Sequence, residues 1–170
     1  MSTASELIAV SGFRGVSLSA VAQACGISKP TVLHYFPAMP ELLFAVLRQR
    51  DSILDQEMRQ VTVDSPEQAR RFLDRVVGQS ACHPGLVRLY HVVAAEALDP
   101  QHPAHEYMST RAARARNWVQ GIVAWKSRPD AAALELLAFW EGLEMLWLRQ
   151  PDLDFLAVWG NFCDRFFLAD

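Results

Sequence analysis

The sequence predicts an all-α fold, and three observations predict it. Long stretches repeat apolar residues at i, i+3, i+4 and i+7, as Leu86, Leu89, Tyr90, Val93, Ala94 and Ala97 do. Pro and Gly fall between those stretches and act as punctuation. Few segments alternate apolar and polar residues in the manner of a half-buried strand. About nine helices are expected, with no internal repeat and no low-complexity tract.

The helices follow in order. Ala4 to Val10 reads as the end of the first, stopped by Ser11 and Gly12. Ser17 can cap a second over Leu18 to Ala24, with Gly26 as its stop. Ser28 can cap a third, which tolerates Pro30 in its first turn and runs to about Phe36 before Pro37 closes it. Pro40 starts a long helix to about Val61 that should bury Leu42, Leu43, Val46, Leu47, Ile53 and Leu54. Pro66 opens the next, with Phe72, Leu73, Val76 and Val77 on one face. Pro84-Gly85 ends it and opens the sixth, and Pro100 and Pro103 bracket a loop. A seventh is expected from about Ala104 to Lys126, with Arg128-Pro129-Asp130 as a turn. The last two, Ala131 to Gln150 and Asp154 to Leu168, are apolar around more than half their circumference. Such helices must be buried on two faces, so a second copy of the chain is the expected partner.

Composition excludes several classes. The 170 residues are 51% hydrophobic and 21% charged, enough for a packed core and too apolar for disorder. Lys plus Arg is 16 and Asp plus Glu is 19, so a uniformly basic coat is excluded while a local basic patch is not. Residues 1–50 hold Arg14, Lys29, Arg48 and Arg50 against Glu6 and Glu41, so 4 − 2 = +2, and the rest carries 12 − 17 = −5. Three cysteines, Cys25, Cys82 and Cys163, lie far apart without a CxxC, against a disulfide framework or zinc knuckle. Neither a secretory leader nor an apolar run of roughly 18 residues occurs, so a cytoplasmic protein is expected. His83, His91, His102 and His105 form no metal signature, and no catalytic constellation is visible. No metal, cofactor or enzymatic activity is expected.

The informative stretch is Leu18 to Phe36. Two short helices meet at Gly26, with Val21 and Ala22 set to pack against Ile27 and Val32. That is the layout of a helix-turn-helix, whose second helix enters a major groove. Around it stand Gly12-Phe13, Ser17, Val21-Ala22, Ala24, Gly26-Ile27-Ser28-Lys29, Thr31, Phe36-Pro37 and Leu42-Leu43. On these residues the first 50 positions resemble the tetracycline-repressor (TetR) family of bacterial transcription regulators. Ala95-Glu96-Ala97 with His102-Pro103, and Gly142-Leu143 with Trp147-Leu148 and Pro151, are similar to recurring features of one branch.

The resemblance implies a DNA-binding domain at 1–39 and a ligand-binding and dimerisation domain at 40–170. In the latter, 40–61 is a connecting helix and 131–170 holds the dimer helices. It implies a regulator released from a palindromic operator by a mostly apolar small molecule, acting as a homodimer away from membranes. Ser17, Ser28, Lys29, Pro30, Thr31, His34 and Tyr35 are the implied DNA contacts. Helices that surround the ligand in the family carry Phe72, Tyr90, Tyr107, Trp118, Ile122, Trp125, Phe139 and Trp140, with His91, Arg111, Asn117 and Glu144 as polar groups.

Three positions depart from the family pattern: Val16 for Thr, Leu33 for Tyr and Met39 for Lys. About ten fewer residues precede Ala4 than is usual, and the turn at Ser127–Asp130 is short. Fewer phosphate contacts imply weak or salt-sensitive DNA binding. The alternative reading is a dimeric small-molecule-binding protein with weak or lost DNA binding.

Overall fold

The computed structural model describes residues 2–59 and 63–168. The described residues form nine helices and no strand: α1 (Ser2–Ser11), α2 (Leu18–Ala24), α3 (Lys29–Tyr35), α4 (Met39–Arg59), α5 (Pro66–Cys82), α6 (Pro84–Glu96), α7 (His105–Ile122), α8 (Pro129–Arg149) and α9 (Phe155–Leu168). Val61, the expected end of α4, and the side chains of Ile53 and Leu54 lie outside the described residues.

Local chemistry sets most boundaries. Ser17 Oγ accepts the Ala20 N–H at 3.2 Å and Ser28 Oγ accepts that of Thr31 at 3.2 Å. Ser65 Oγ accepts the Gln68 N–H at 3.2 Å, and Gln68 Oε1 reaches back to the Asp64 N–H at 2.8 Å. Each such cap contributes about 1 kcal/mol. Pro30, Pro66 and Pro129 sit in first turns, where a missing N–H is harmless. Asp154 Oδ1 accepts the Ala157 N–H at 3.0 Å and starts α9. The seventh helix is shorter than its apolar stripe predicts. Past Ile122 the chain tightens into turns, with Ala124 N–H to Gly121 O and Lys126 N–H to Val123 O. The Lys126 ammonium then donates to the Phe166 carbonyl at 2.5 Å, a tie that periodicity does not reveal.

The chain packs as two compact units. The first comprises Met1–Val61 and Gly85–Met108. Its core joins Ala4, Ile8, Val16, Leu18, Val21, Ala22 and Val32 to Leu42, Leu43, Val46 and Leu47 of α4 and to Leu89 and Val93 of α6. Phe13 and Phe36 pack against it half-buried. The second comprises Thr62–Pro84 and Ser109–Asp170, with α5 and α8 both packed on α9. There Phe72, Leu73, Val76 and Val77 of α5, Leu136 and Leu143 of α8, and Trp159, Phe162 and Phe166 of α9 are buried. The α9 register is fixed by a polar cluster. Arg70 donates to Asp74 at 2.9 Å and to Asp164 at 2.9 Å, and the Trp159 indole N–H donates to Asp74 at 2.7 Å.

Candidate functional site

The α2–α3 pair is built by its smallest residues. Gly26 takes φ +65°, a left-handed turn that L side chains resist, with open space where a Cβ would stand. Val32, 4% exposed, pins α3 against α2 through Val21 and Ala22. Ile27 departs from expectation. It is 47% exposed, because its N–H closes the turn onto the Ala22 carbonyl at 3.0 Å while its side chain stays outside the core.

With Val32 inward, 100° per residue turns Pro30 and His34 to the opposite side, flanked by Thr31 and Leu33. Lys29, Pro30, Thr31, Leu33, His34 and Tyr35 are all exposed. Tyr35 lies 70% exposed with the His34 ring edge-on at 5.1 Å. Ser17 and Ser28, also exposed, spend their hydroxyls as caps. The Thr31 hydroxyl lies 2.7 Å from that of Ser28.

Within the same unit, two sets of contacts tie α6 and the residues after it to the N-terminal helices, one at the α1–α2 turn and one on α4. At the first, Glu96, the last residue of α6, accepts the Phe13 N–H on Oε2 at 2.8 Å. Gly12 sits there at φ +71°, and a Cβ on it would stand 2.5 Å from Glu96 Oε1. Arg14 pairs with Asp99 at 2.6 Å. The Gln101 backbone N–H, and then Arg14, hold the Asp99 carboxyl below the usual carboxylate range. The Phe13 ring meets the buried His102 edge-on at 5.0 Å. His102 Nδ1 accepts the Ala104 N–H at 3.1 Å, so the ring proton sits on Nε2, which has no hydrogen-bond partner and lies 3.9 Å from Glu96 Oε2. Burial pushes the His102 pKa down against the pull of Glu96, which keeps the ring neutral at neutral pH. His105 Nδ1 lies 2.8 Å from the Ala97 carbonyl, so both histidines of that loop serve its fold.

The second set centres on Asp51 of α4, 8% exposed. Its Oδ1 accepts the Tyr90 hydroxyl and its Oδ2 the Tyr107 hydroxyl, each at 2.7 Å. The Tyr90 oxygen also lies 3.0 Å from the Leu47 carbonyl, and the Tyr107 ring lies 5.9 Å from Phe44. Tyr90 and Tyr107, expected to line a ligand site, are thus brought together on a residue not singled out beforehand. A signal existed: Leu43, Leu47 and Asp51 follow at i, i+4 and i+8, which sets an acid on an apolar stripe. His91 shares this unit and is half-buried.

The other expected ligand residues belong to the second unit. Phe72 meets Trp118 edge-on at 5.3 Å and carries Arg75 over its ring at 5.1 Å. Phe139 stacks on Phe162 at 3.8 Å, and Trp140 donates its indole N–H to Glu144 at 2.9 Å. Trp125 lies 6.0 Å from Phe167 with the Lys126 ammonium 4.6 Å over its ring, and its shielded indole N–H has no hydrogen-bond partner. Ile122 is buried, Arg111 half-buried and Asn117 exposed. Among the described residues no group of three or more His, Cys, Asp or Glu is placed to hold a metal ion. None of the helices, over the described residues, is long and apolar enough to cross a membrane.

These features define an all-α helix-turn-helix protein whose reading helix is carried by a helical body. Comparison with known proteins gives the class a family. Residues 1–46 match the profile of the bacterial regulatory proteins of the tetR family. The HTH-type transcriptional regulator EthR of Mycolicibacterium smegmatis is 26% identical over 113 residues, 64% of this chain and 50% of that protein. The match thus spans about half the length of that relative. Among solved structures, the transcriptional regulator FadR from Bacillus subtilis, in complex with stearoyl-CoA, superposes with TM-score 0.77 at 14% identity, covering 98% of this chain and 95% of that one. AibR, in complex with isovaleryl coenzyme A and operator DNA, superposes with TM-score 0.71 at 16% identity, covering 97% and 94%. Over its first 46 residues the chain is thus similar to the tetR family of bacterial regulatory proteins.

Proposed function

We propose that this chain is a transcription regulator that binds a palindromic operator as a homodimer and is released by a mostly apolar small molecule. Residues 1–39 form the DNA-reading part and 40–170 the part that binds ligand and dimerises. The observation that carries this reading is the exposed surface of α3 around its buried Val32, where Lys29, Pro30, Thr31, Leu33, His34 and Tyr35 all reach solvent. Lys29 meets a phosphate, Thr31, His34 and Tyr35 reach bases or backbone, and Ser17 and Ser28 hold the helix starts that border the duplex. Two such helices sit in successive major grooves about 34–36 Å apart.

The ties from α6 support ligand control. Glu96 holds the turn ahead of α2, and Tyr90 holds α4 through Asp51. A small displacement of α6 therefore moves the head, and a coupling of about 1–3 kcal/mol suffices to switch occupancy. Within the second unit, Phe72, Trp118, Ile122, Trp125, Phe139 and Trp140 favour an apolar effector, with Arg111, Asn117 and Glu144 as its polar contacts. Two proteins of the same fold hold acyl-coenzyme A thioesters, so an acyl-CoA series is the first set to screen by thermal shift. Leu134, Ala138, Gly142 and Leu146 follow at i+4 steps along α8 and are all exposed, which suits a second copy.

The test is selection of genomic fragments by the purified protein at two salt concentrations. An enriched palindrome lost as salt rises is the expected result. A folded dimer that enriches nothing at low salt sinks the DNA-reading function. It would leave a dimeric small-molecule-binding protein, a reading favoured by the presence of a single Lys or Arg, Lys29, in α3.

A further inference from the structure

We propose that Leu33, with Pro30 beside it, reads thymine in the operator through its 5-methyl group. The inference rests on the DNA-reading function above and goes one step further, to the base and the atom that this head discriminates.

The argument begins with exposure. Leu33 is 39% exposed on a helix whose inward position, Val32, is 4% exposed. Pro30 lies one turn earlier at i−3 and is also exposed, so the two side chains form one apolar surface on the outer side of α3. Neither side chain carries a donor or an acceptor, and Pro30 lacks a backbone N–H as well. This surface is therefore mute toward phosphate and toward the polar edges of guanine, cytosine and adenine. In the major groove the apolar group within reach of such a surface is the thymine 5-methyl. With Lys29 as the one Lys or Arg of α3, discrimination by an apolar contact suits a head poor in charge.

The experiment first selects a binding site from a randomised duplex pool at low salt. Each thymine of the selected half-site is then replaced by deoxyuridine, which removes the methyl and keeps base pairing. Affinities are measured for the intact chain and for Leu33→Ala and Leu33→Met. For the intact chain, removing the methyl at one thymine per half-site should weaken binding about fourfold, the worth of one buried methyl-sized group. Leu33→Ala should bind thymine and deoxyuridine versions equally, whereas Leu33→Met should keep part of the preference. The uridine arm alters only the DNA, so it stands even if a variant folds poorly. An enriched site that is indifferent to deoxyuridine at every position overturns the inference and leaves the DNA-reading function intact. A preference undiminished in Leu33→Ala also overturns it. A pool that enriches no site overturns both.

Discussion

Replacing Gly12 by alanine tests the joint between the head and α6. Gly12 has φ +71°, where an L side chain costs roughly 1 kcal/mol. The added Cβ would also stand 2.5 Å from Glu96 Oε1 and 3.3 Å from its Cδ. Relief requires the carboxylate to swing away, which breaks its 2.8 Å bond from the Phe13 N–H. A hydrogen bond to a charged group contributes about 1.5–3 kcal/mol, so Gly12→Ala should destabilise the protein by about 2.5–4 kcal/mol. Gly26→Ala is the internal control. It carries nearly the same φ, +65°, with nothing within 4 Å of the Cβ, and should cost only the backbone part, about 1 kcal/mol. Urea unfolding followed by circular dichroism reads both. In a Glu96→Ala background, Gly12→Ala should cost no more than Gly26→Ala. Equal midpoints for the two single variants would refute the reasoning. So would a Gly12→Ala penalty that survives removal of Glu96.

Three further outcomes are expected. Asp51→Asn keeps one acceptor for two tyrosine hydroxyls, so it should destabilise by about 1–2 kcal/mol in the same unfolding assay, and Tyr107→Phe by about 1 kcal/mol. Burial pushes the Cys163 thiol up from 9.0 to about 12, while Cys25 and Cys82 are exposed. A thiol reagent should therefore modify two cysteines in the native protein at neutral pH and the third only on unfolding. The sign for stability follows: the protonated Cys163 favours folding fully below about pH 9, and that contribution is lost as pH rises toward about 12. Cys163→Ala should flatten this alkaline loss in pH-dependent melting curves. Leu146→Asp places a charge on the 49%-exposed α8 stripe and should convert a dimer to monomer by light scattering without lowering helicity, and a dimer that survives would move the interface elsewhere.

The helices were legible because their causes are local. Ser17 and Ser28 announce caps, Pro30 and Pro66 announce first turns, and apolar side chains recur at helical spacing, whereas Pro129, read as part of a turn, opens α8. The helix-turn-helix was legible for the same reason, since Gly26 and the Ser28 cap lie within a few residues of the parts they join. Errors came where composition and periodicity did not decide a side chain's fate. Ile27 has a core composition and stays outside, because the turn spends its geometry on the backbone bond to Ala22. The seventh helix stops early, where Lys126 finds a carbonyl 40 residues away.

By itself, then, the sequence determined an all-α chain, its order of helices, a two-helix reading motif and the phase of α3. These follow from propensity, capping and periodicity, which act over one or two turns. The tertiary structure alone decided what Asp51, Glu96 and Gly12 do. Tyr90 lies 39 positions from Asp51 and Tyr107 lies 56, while Glu96 lies 83 from Phe13. Pairing at such separations is set by how helix faces pack, because a half-buried carboxylate must find donors wherever the packed chain brings them.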